Sequence, residues 1–264
     1  MPAAPIRVLP TPEAIGEDMA GRLLEQIDAA RDAGRRFLLG CPTGRTPRPI
    51  YQAVARRLSS TKQNLNHLVL VMMDEYLTRD GDGFRYADAH NAWSCHHFAR
   101  VRIVEEWNRE LAASHRLREE SVWFPDPKAP AGYDERIGDA GGIDFFILAS
   151  GASDGHVAFN PPGSPRDSRT RIVELSEQTR RDNLQTFPAF GSIDAVPTHG
   201  VSVGIATITA ARAGVMVLTG ASKRESLSRI LKAEHYDPQW PATVVHEIAA
   251  GEILADREAA VGVG

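Results

Sequence analysis

Apolar residues recur every fourth position between residues 15 and 27, which predicts a helix with one buried face. Thr11 and Pro12 precede this segment and suit the N-cap and the first helical position. Gly34 follows the last apolar position and is a typical residue for ending a helix. The N-terminal part of the chain is therefore predicted to be helical from about residue 11.

The same spacing predicts further helices. Pro47 opens a second stretch, with apolar residues at positions 50, 54 and 58. We also expect helices over 87–99 and 104–114, and a later helix capped by Ser222. Residues 77–86 are mostly polar and are predicted to form a loop.

A second pattern consists of short, continuous apolar runs. Such runs are typical of parallel strands that are buried on both faces of a sheet. Separated by helices, they predict an α/β fold: a Rossmann-like parallel sheet covered by helices on both faces, in a single domain over residues 1–264. The runs lie at residues 37–39, 68–73, 144–149 and 214–220.

Polar residues follow three of these runs. Thr43, Gly44, Arg45 and Thr46 follow the first, Asp74-Glu75 ends the second, and Asp154-Gly155-His156 follows the third. Ligands of open α/β sheets bind beyond the carboxyl ends of the strands. We therefore expect the three clusters to meet at one edge of the sheet.

Composition excludes several classes of protein. With 34 acidic and 30 basic residues the net charge is −4, which argues against a role in binding nucleic acid or an anionic membrane. No apolar run approaches the roughly 18 residues of a transmembrane helix, and we expect no signal peptide. Two cysteines, Cys41 and Cys95, do not make a disulfide framework or a zinc motif, so a reducing cytoplasm is expected.

Each polar cluster has a chemical and a structural interpretation. Residues 43–46 precede a helix and suit a phosphate, or they form an ordinary turn. Asp74 or Glu75 is suited to act as a general base, or caps a solvated edge. His156 is suited to move protons beside Asp154, or is a hydrogen-bonded loop residue. His90, His96 and His97 match no metal-ligand spacing, so we expect no metal and no cofactor.

Six motifs follow one another along the chain: Thr43–Pro47, Met73–Tyr76, Asp154–Asn160, Ser168–Ile172, Val201–Ile208 and Gly220–Lys223. In their order and spacing, from about residue 11 to residue 256, they resemble the glucosamine-6-phosphate deaminase/isomerase family.

Sugar-sensing regulators and 6-phosphogluconolactonases share a related fold. Lactonases usually have Arg where this chain has Tyr76, and they usually have Thr-Ala-Ser after the histidine that corresponds to His156.

The resemblance implies an enzyme that opens a sugar phosphate ring and then moves a proton between carbons 1 and 2. It implies that Asp74 is the base and that His156, tuned by Asp154, is the ring-opening acid/base. It implies that Thr43, Gly44, Arg45, Thr46 and Lys223 bind the phosphate. A hexose or hexosamine 6-phosphate is the implied small-molecule partner. Family members form monomers, trimers or hexamers, so the resemblance allows a homo-oligomer.

The chain departs from the family at three positions. Arg45 stands where the phosphate loop of the family has a second glycine. Pro161 stands where the deaminases have a Glu that supports the histidine. Gln185 stands where they have an Arg that holds substrate, with Arg180 or Arg181 as candidate replacements. We therefore expect weak or absent ammonia release from glucosamine 6-phosphate compared with the family deaminases. The alternative functions are hydrolysis of a sugar-phosphate lactone and non-catalytic binding of a sugar phosphate.

Overall fold

Eleven strands form two sheets in the computed structural model, which describes residues 3–262. The strands are β1 (Ile6–Leu9), β2 (Phe37–Cys41), β3 (Leu68–Met72), β4 (Asp74–Asp80), β5 (Gly83–Tyr86), β6 (Val122–Trp123), β7 (Phe145–Ala149), β8 (Arg171–Glu174), β9 (His199–Ser202), β10 (Ala213–Leu218) and β11 (Ala250–Asp256). The α-helices are α1 (Pro12–Asp32), α2 (Arg48–Thr61), α3 (Cys95–Phe98), α4 (Glu105–Asn108), α5 (Ala131–Asp139), α6 (Glu177–Thr186), α7 (Ile205–Thr209) and α8 (Arg224–Lys232).

The larger sheet has seven strands in the order β1-β11-β10-β7-β2-β3-β6, and every neighbouring pair is parallel. Successive residues of its central strands face two separate apolar cores. Leu39 and Phe145 belong to the core shared with α1 and α2, whereas Leu38 and Phe146 belong to the core shared with α5 and α8. The predicted fold class, a parallel sheet covered on both faces, is confirmed.

The first helix begins as its sequence predicts. The hydroxyl of Thr11 accepts a hydrogen bond from the backbone N–H of Ala14 at 3.2 Å, and Pro12 is the first helical residue. Gly34 follows the helix with a φ of +67°, a conformation that favours glycine because it has no Cβ. Ser222 is a different case, since α8 begins at Arg224 and its N-cap position is occupied by Lys223.

Two predicted helices are wrong in their bounds. Residues 95–108 form one continuous helix through α3, a π-helical turn over Ala99–Val104, and α4. It begins at Cys95, and Ser94 is its N-cap: the Ser94 hydroxyl accepts a hydrogen bond from the N–H of His97 at 3.4 Å. Residues 87–94 therefore lie outside the helix. Helix 104–114 ends early, because α4 stops at Asn108.

The predicted loop at 77–86 is also wrong, because it contains a hairpin. Strands β4 and β5 pair antiparallel, and Gly81 turns between them with a φ of +57°. They belong to a second, antiparallel sheet in the order β5-β4-β9-β8. Most of this hairpin is outside the two large cores, so it lacks the apolar runs by which the parallel strands are recognised.

The order of the parallel strands defines where a ligand can approach. Strands β2 and β7 are neighbours, but the next strand of this sheet after β2 is β3, on one side, and the next strand of this sheet after β7 is β10, on the other. The loops after β2 and β7 therefore separate and leave a crevice at the carboxyl edge. In residues 3–262, no helix has the length and apolar character needed to cross a membrane.

Gly40 allows β2 and β7 to pack side by side. A Cβ at Gly40 would lie 2.2 Å from Cδ1 of Phe146, so we expect Gly40→Ala to lower the free energy of unfolding by about 1–3 kcal/mol through overpacking. Urea denaturation measures this change. The matched control is Gly138→Ala in α5, where nothing lies within 4 Å and a rise of about 0.4–1 kcal/mol is expected. Equal stability of the Gly40→Ala variant and the wild type would contradict this account of the packing.

Candidate active site

The three polar clusters line one cavity of about 650 Å³ at the carboxyl edge of the large sheet. The expectation that they converge is therefore confirmed. Helix α6 and the segment before α8 complete the walls. Asp154 lies behind His156 rather than in the wall, whereas the other candidate residues border the cavity; these are Thr43, Gly44, Arg45, Thr46, Asp74, His156 and Lys223.

One end of the cavity is suited to bind an anion. Residues 43–46 connect β2 to α2, so they lie at the positive end of the helix dipole. Gly44 has a φ of +91°, in a region that favours glycine. This conformation lets the chain change direction between β2 and α2. Arg45 is exposed and carries a positive charge at the entrance.

Lys223 borders the same cavity. Its side chain is half-buried and donates a hydrogen bond to the carbonyl of Ser150. Burial lowers the pKa of Lys223 to about 8, and the charges of Asp182 and Asp154 favour its protonated form against Arg45. At neutral pH the ammonium of Lys223 is therefore mostly charged. It borders the same cavity as residues 43–46 and can contribute to binding an anion there.

Asp74 and Glu75 are adjacent in β4, and the structure distinguishes their roles. Glu75 is fully buried and caps the helix that begins at Cys95: its oxygens accept hydrogen bonds from Ser94 Oγ at 2.8 Å, Cys95 N at 3.0 Å and His96 N at 2.8 Å. Neighbouring side chains of a strand point to opposite sides. Asp74 thus borders the cavity while Glu75 stabilises the fold.

Asp74 is buried, with only 6% of the residue exposed. Burial is the main reason that the pKa of Asp74 is raised to about 7; the hydrogen bond from the Cys95 thiol and the charge of His156 act against this rise, and the charge of Glu75 adds to it. A carboxylate with a pKa near neutral can both take up and release a proton during a reaction. This favours the interpretation of Asp74 as a general base over that of a capping residue.

His156 is held by Asp154. Nδ1 of His156 lies 2.7 Å from Oδ1 of Asp154, and Thr179 donates to the other oxygen of Asp154 at 3.2 Å. Burial by itself would raise the pKa of Asp154, but the hydrogen bond and charge of His156 lower it to about 2. An ionised Asp154 keeps a proton on Nδ1, so Nε2 is the nitrogen that can exchange protons with a ligand.

Helix α6 contributes residues that the sequence reasoning missed. Asn183 and Thr186 line the cavity beside Asp182, and Thr179 contacts both Asp154 and His156. Asp182 accepts hydrogen bonds from Ser153 Oγ at 3.1 Å and Gln178 Nε2 at 3.1 Å. A signal was present in the chain, because positions 179, 182, 183 and 186 have the spacing of one helix face and are all polar.

The structure also tests the candidate replacements for the family arginine. Gln185 lines the cavity. Arg180 instead donates to the carbonyls of Ile193 at 2.5 Å and Val196 at 3.3 Å, and Arg181 pairs with Glu177 on the exposed side of α6. Neither arginine borders the cavity, so the suggestion that one of them replaces the missing group is wrong.

Among the described residues, one group has metal-ligand spacing. Single ligand atoms of Asp154, His156 and Asp182 lie within 4.8 Å of one another. The Nδ1 atom of His156 already donates to Asp154, which favours acid–base chemistry at this position. His90, His96 and His97 are in no such group among the described residues. His90 contacts Asp88, whereas His96 contacts Glu75 and stacks on Phe124 with the two ring centroids 3.6 Å apart.

Comparison with known sequences gives consistent relatives. The model of a family described as glucosamine-6-phosphate isomerases/6-phosphogluconolactonase matches residues 10–254. A protein of Beutenbergia cavernae named glucosamine-6-phosphate deaminase is 34% identical over 249 residues, 92% of this chain and 88% of that protein. One of the same name from Mycolicibacterium smegmatis is 34% identical over 259 residues, 96% of this chain and 90% of that protein.

Solved structures show the same architecture. A monomeric glucosamine-6-phosphate deaminase matches with a TM-score of 0.80 at 26% identity, covering 97% of this chain and 99% of the other. A 6-phosphogluconolactonase from Trypanosoma cruzi matches with a TM-score of 0.69 at 18% identity, covering 100% and 98%. At that lower identity the resemblance shows the fold alone.

Proposed function

Because the chain belongs to the glucosamine-6-phosphate isomerase/6-phosphogluconolactonase family, we propose that it is an aldose–ketose isomerase or deaminase of a hexosamine or hexose 6-phosphate. The observation that carries this proposal is the meeting of three chemistries in one cavity. They are an anion-binding end with Lys223, a histidine–carboxylate pair, and a buried carboxylate whose pKa is about 7.

The phosphate occupies the end of the cavity formed by residues 43–46 and Lys223. The dipole of α2 and the ammonium of Lys223 both favour a dianion there. Arg45 adds a further positive charge at the entrance. This anchoring leaves the sugar to extend toward His156 and Asp74, which border the same space.

His156 opens the sugar ring. With Nδ1 held by Asp154, Nε2 takes the proton of the anomeric hydroxyl, and the same proton is then given to the ring oxygen as the carbon–oxygen bond breaks. The product is an open-chain aldehyde. Asp154 remains ionised throughout because of its low pKa, so it stabilises the charged imidazole without taking the proton.

Asp74 then moves a proton between carbons. Its carboxylate removes the proton from carbon 2, which the neighbouring carbonyl makes acidic, while oxygen 1 takes up a proton. It then returns the proton to carbon 1 of the enediol-type intermediate, while the hydroxyl or amino group on carbon 2 gives up a proton. With a hydroxyl on carbon 2 the result is a ketose. With an amino group it is an imine, which adds water and releases ammonia to give the same ketose. A metal is not required, because the carbonyl already acidifies the transferred proton.

A panel of hexose 6-phosphates, with and without an amino group, tests the proposal. Each is assayed for ketose formation and for ammonia, alongside hydrolysis of 6-phosphogluconolactone. Ketose from one or more of the sugars supports the proposal. Lactone hydrolysis with no ketose from any of the sugars would establish the lactonase alternative. Binding of a sugar phosphate without turnover would establish the alternative of non-catalytic binding.

Lys223→Ala should weaken the binding of a sugar alcohol 6-phosphate by about 1.5–3 kcal/mol, the usual contribution of a charge-assisted hydrogen bond. Calorimetry measures this loss, with Lys232→Ala on the exposed side of α8 as the matched control. The phosphate end would be wrongly assigned if the wild type bound the sugar alcohol equally well with and without its phosphate.

Substitutions of Asp74 and His156 should separate the two proton-transfer steps. Asp74→Asn removes the base and should lower turnover of every substrate by about 10²–10⁴-fold. His156→Gln should slow cyclic substrates by a similar factor and largely spare the open-chain form. Glu174→Gln, an exposed carboxylate outside the cavity, is the control. If both variants lost stability but kept normal turnover per folded molecule, these assignments would be refuted.

Ammonia release should depend on Asp182. Position 161 offers no carboxylate, so we expect slower release from glucosamine 6-phosphate than by the Beutenbergia cavernae relative in a parallel assay. Besides Asp154, Asp182 is a carboxylate close to His156. Asp182→Asn should therefore release ammonia more slowly than the wild type, whereas Glu177→Gln on the same helix should release it at the wild-type rate. Release as fast as that of the relative, and unaffected by Asp182→Asn, would contradict this prediction.

A further inference from the structure

A buried thiol lies beside the carboxylate of Asp74. The Sγ atom of Cys95 is 3.4 Å from Oδ1 of Asp74, within the range of a hydrogen bond to sulfur, and Cys95 is 1% exposed. The proposed reaction does not use this thiol as a nucleophile or as an acid. Burial raises the pKa of Cys95 well above its ordinary value, so the group stays protonated and can donate.

The position of Cys95 is determined by the helix that it begins. Its backbone N–H donates to Glu75 at 3.0 Å, and Ser94 before it donates to the same carboxylate at 2.8 Å. On its other side, the Cys95 sulfur lies 3.6 Å from the hydroxyl of Thr43. The thiol therefore connects the loop at the anion-binding end to the carboxylate of Asp74.

Within residues 3–262, no other side chain donates a hydrogen bond to Asp74. A thiol is a weak donor compared with a hydroxyl or an amide. A strong donor would orient the carboxylate but would also stabilise its charge and make it a poorer base. A thiol supplies the contact with less of that stabilisation than a hydroxyl or an amide would.

The remaining neighbours of Asp74 affect it through charge. Glu75 on the same strand disfavours the ionised form of Asp74, and His156 from the loop after β7 favours it. Tyr51 of α2 and Tyr76 of β4 are buried phenols whose pKa is raised well above the ordinary value, so they remain neutral. Cys95 is thus the neighbour whose donor strength can be changed without changing any charge.

We propose that Cys95 is a positioning residue for the reaction: its thiol orients the carboxylate of Asp74 through a hydrogen bond that reduces the basicity of this carboxylate less than a hydroxyl or amide donor would. This rests on the proposed function, in which Asp74 is the base. Cys95 belongs to the same apolar cluster as Tyr76 and Phe159. The proposal gives a chemical reason for a cysteine at this position in addition to its packing in that cluster.

Two substitutions with opposite expected effects test this role. A base must be ionised to act, so kcat/KM falls as the pH drops below the pKa of Asp74. Cys95→Ser supplies a stronger donor and should move this acid limb to lower pH by about one unit. Cys95→Ala removes the donor and should move it to higher pH. The substrate phosphate also titrates in this range, but identically in every variant.

Cys41→Ser is the matched control, because Cys41 is a fully buried thiol whose sulfur contacts the carbonyl of Leu39 instead of Asp74. Its acid limb should coincide with that of the wild type. An acid limb unmoved in both Cys95 variants, or moved in the same direction in both, would overturn the proposal. If Cys95→Ala does not fold, the other two variants decide: an acid limb that moves to lower pH in Cys95→Ser but not in Cys41→Ser supports the proposal, and an unmoved acid limb in Cys95→Ser overturns it.

A second readout separates this inference from the proposed function. Carbon-13 NMR of the aspartate carboxyl carbons, with the Asp74 signal assigned by its loss in Asp74→Asn, follows the titration of Asp74 without any substrate. Opposite shifts in the two Cys95 variants support the thiol contact even if no sugar phosphate is turned over. Identical titrations in wild type and both variants refute it even if the enzyme is active.

Discussion

Burying the negative charge of Glu75 requires that its oxygens be matched by donors, and the start of the helix over residues 95–108 supplies them. This contact joins the start of β4 to a helix that begins 20 residues later in the chain. It also brings Cys95 against Asp74 and Thr43. Among the residues that the structure describes, the neighbouring carboxylate of Asp74 accepts a side-chain hydrogen bond from one weak donor, and its burial keeps it basic.

The carboxylate of Asp154, which lies behind His156, is also matched by hydrogen-bond donors. Asp154 accepts hydrogen bonds from Thr179 and from His156, so it stays ionised and orients the imidazole. Asp74 at the cavity and Asp154 behind His156 thus have pKa values near 7 and near 2, and this difference distinguishes the base from the group that supports the histidine. Helix α6 supports this pair through Thr179 and also lines the cavity.

The sequence predicts the parallel sheet well, because strands buried on both faces are continuous apolar runs. It also predicts that residues 43–46, Asp74 and His156 meet, since parallel strands end at one edge. It does not predict the second sheet, whose strands lie mostly outside the large cores, or the single helix over 95–108. The contacts of Cys95 and Asp182 could not be predicted either, because they join segments about 20–30 residues apart in loops and a polar helix.

The central claim is that Asp74 moves a carbon-bound proton of a sugar phosphate, and solvent exchange tests it most directly. Fructose 6-phosphate is incubated with the wild type and with Asp74→Asn in deuterium oxide, with and without ammonium, and the carbon 1 protons are followed by NMR. The account predicts loss of one carbon 1 proton signal with the wild type, in one or both conditions, and none with Asp74→Asn. Exchange at equal rates in the two proteins would contradict it.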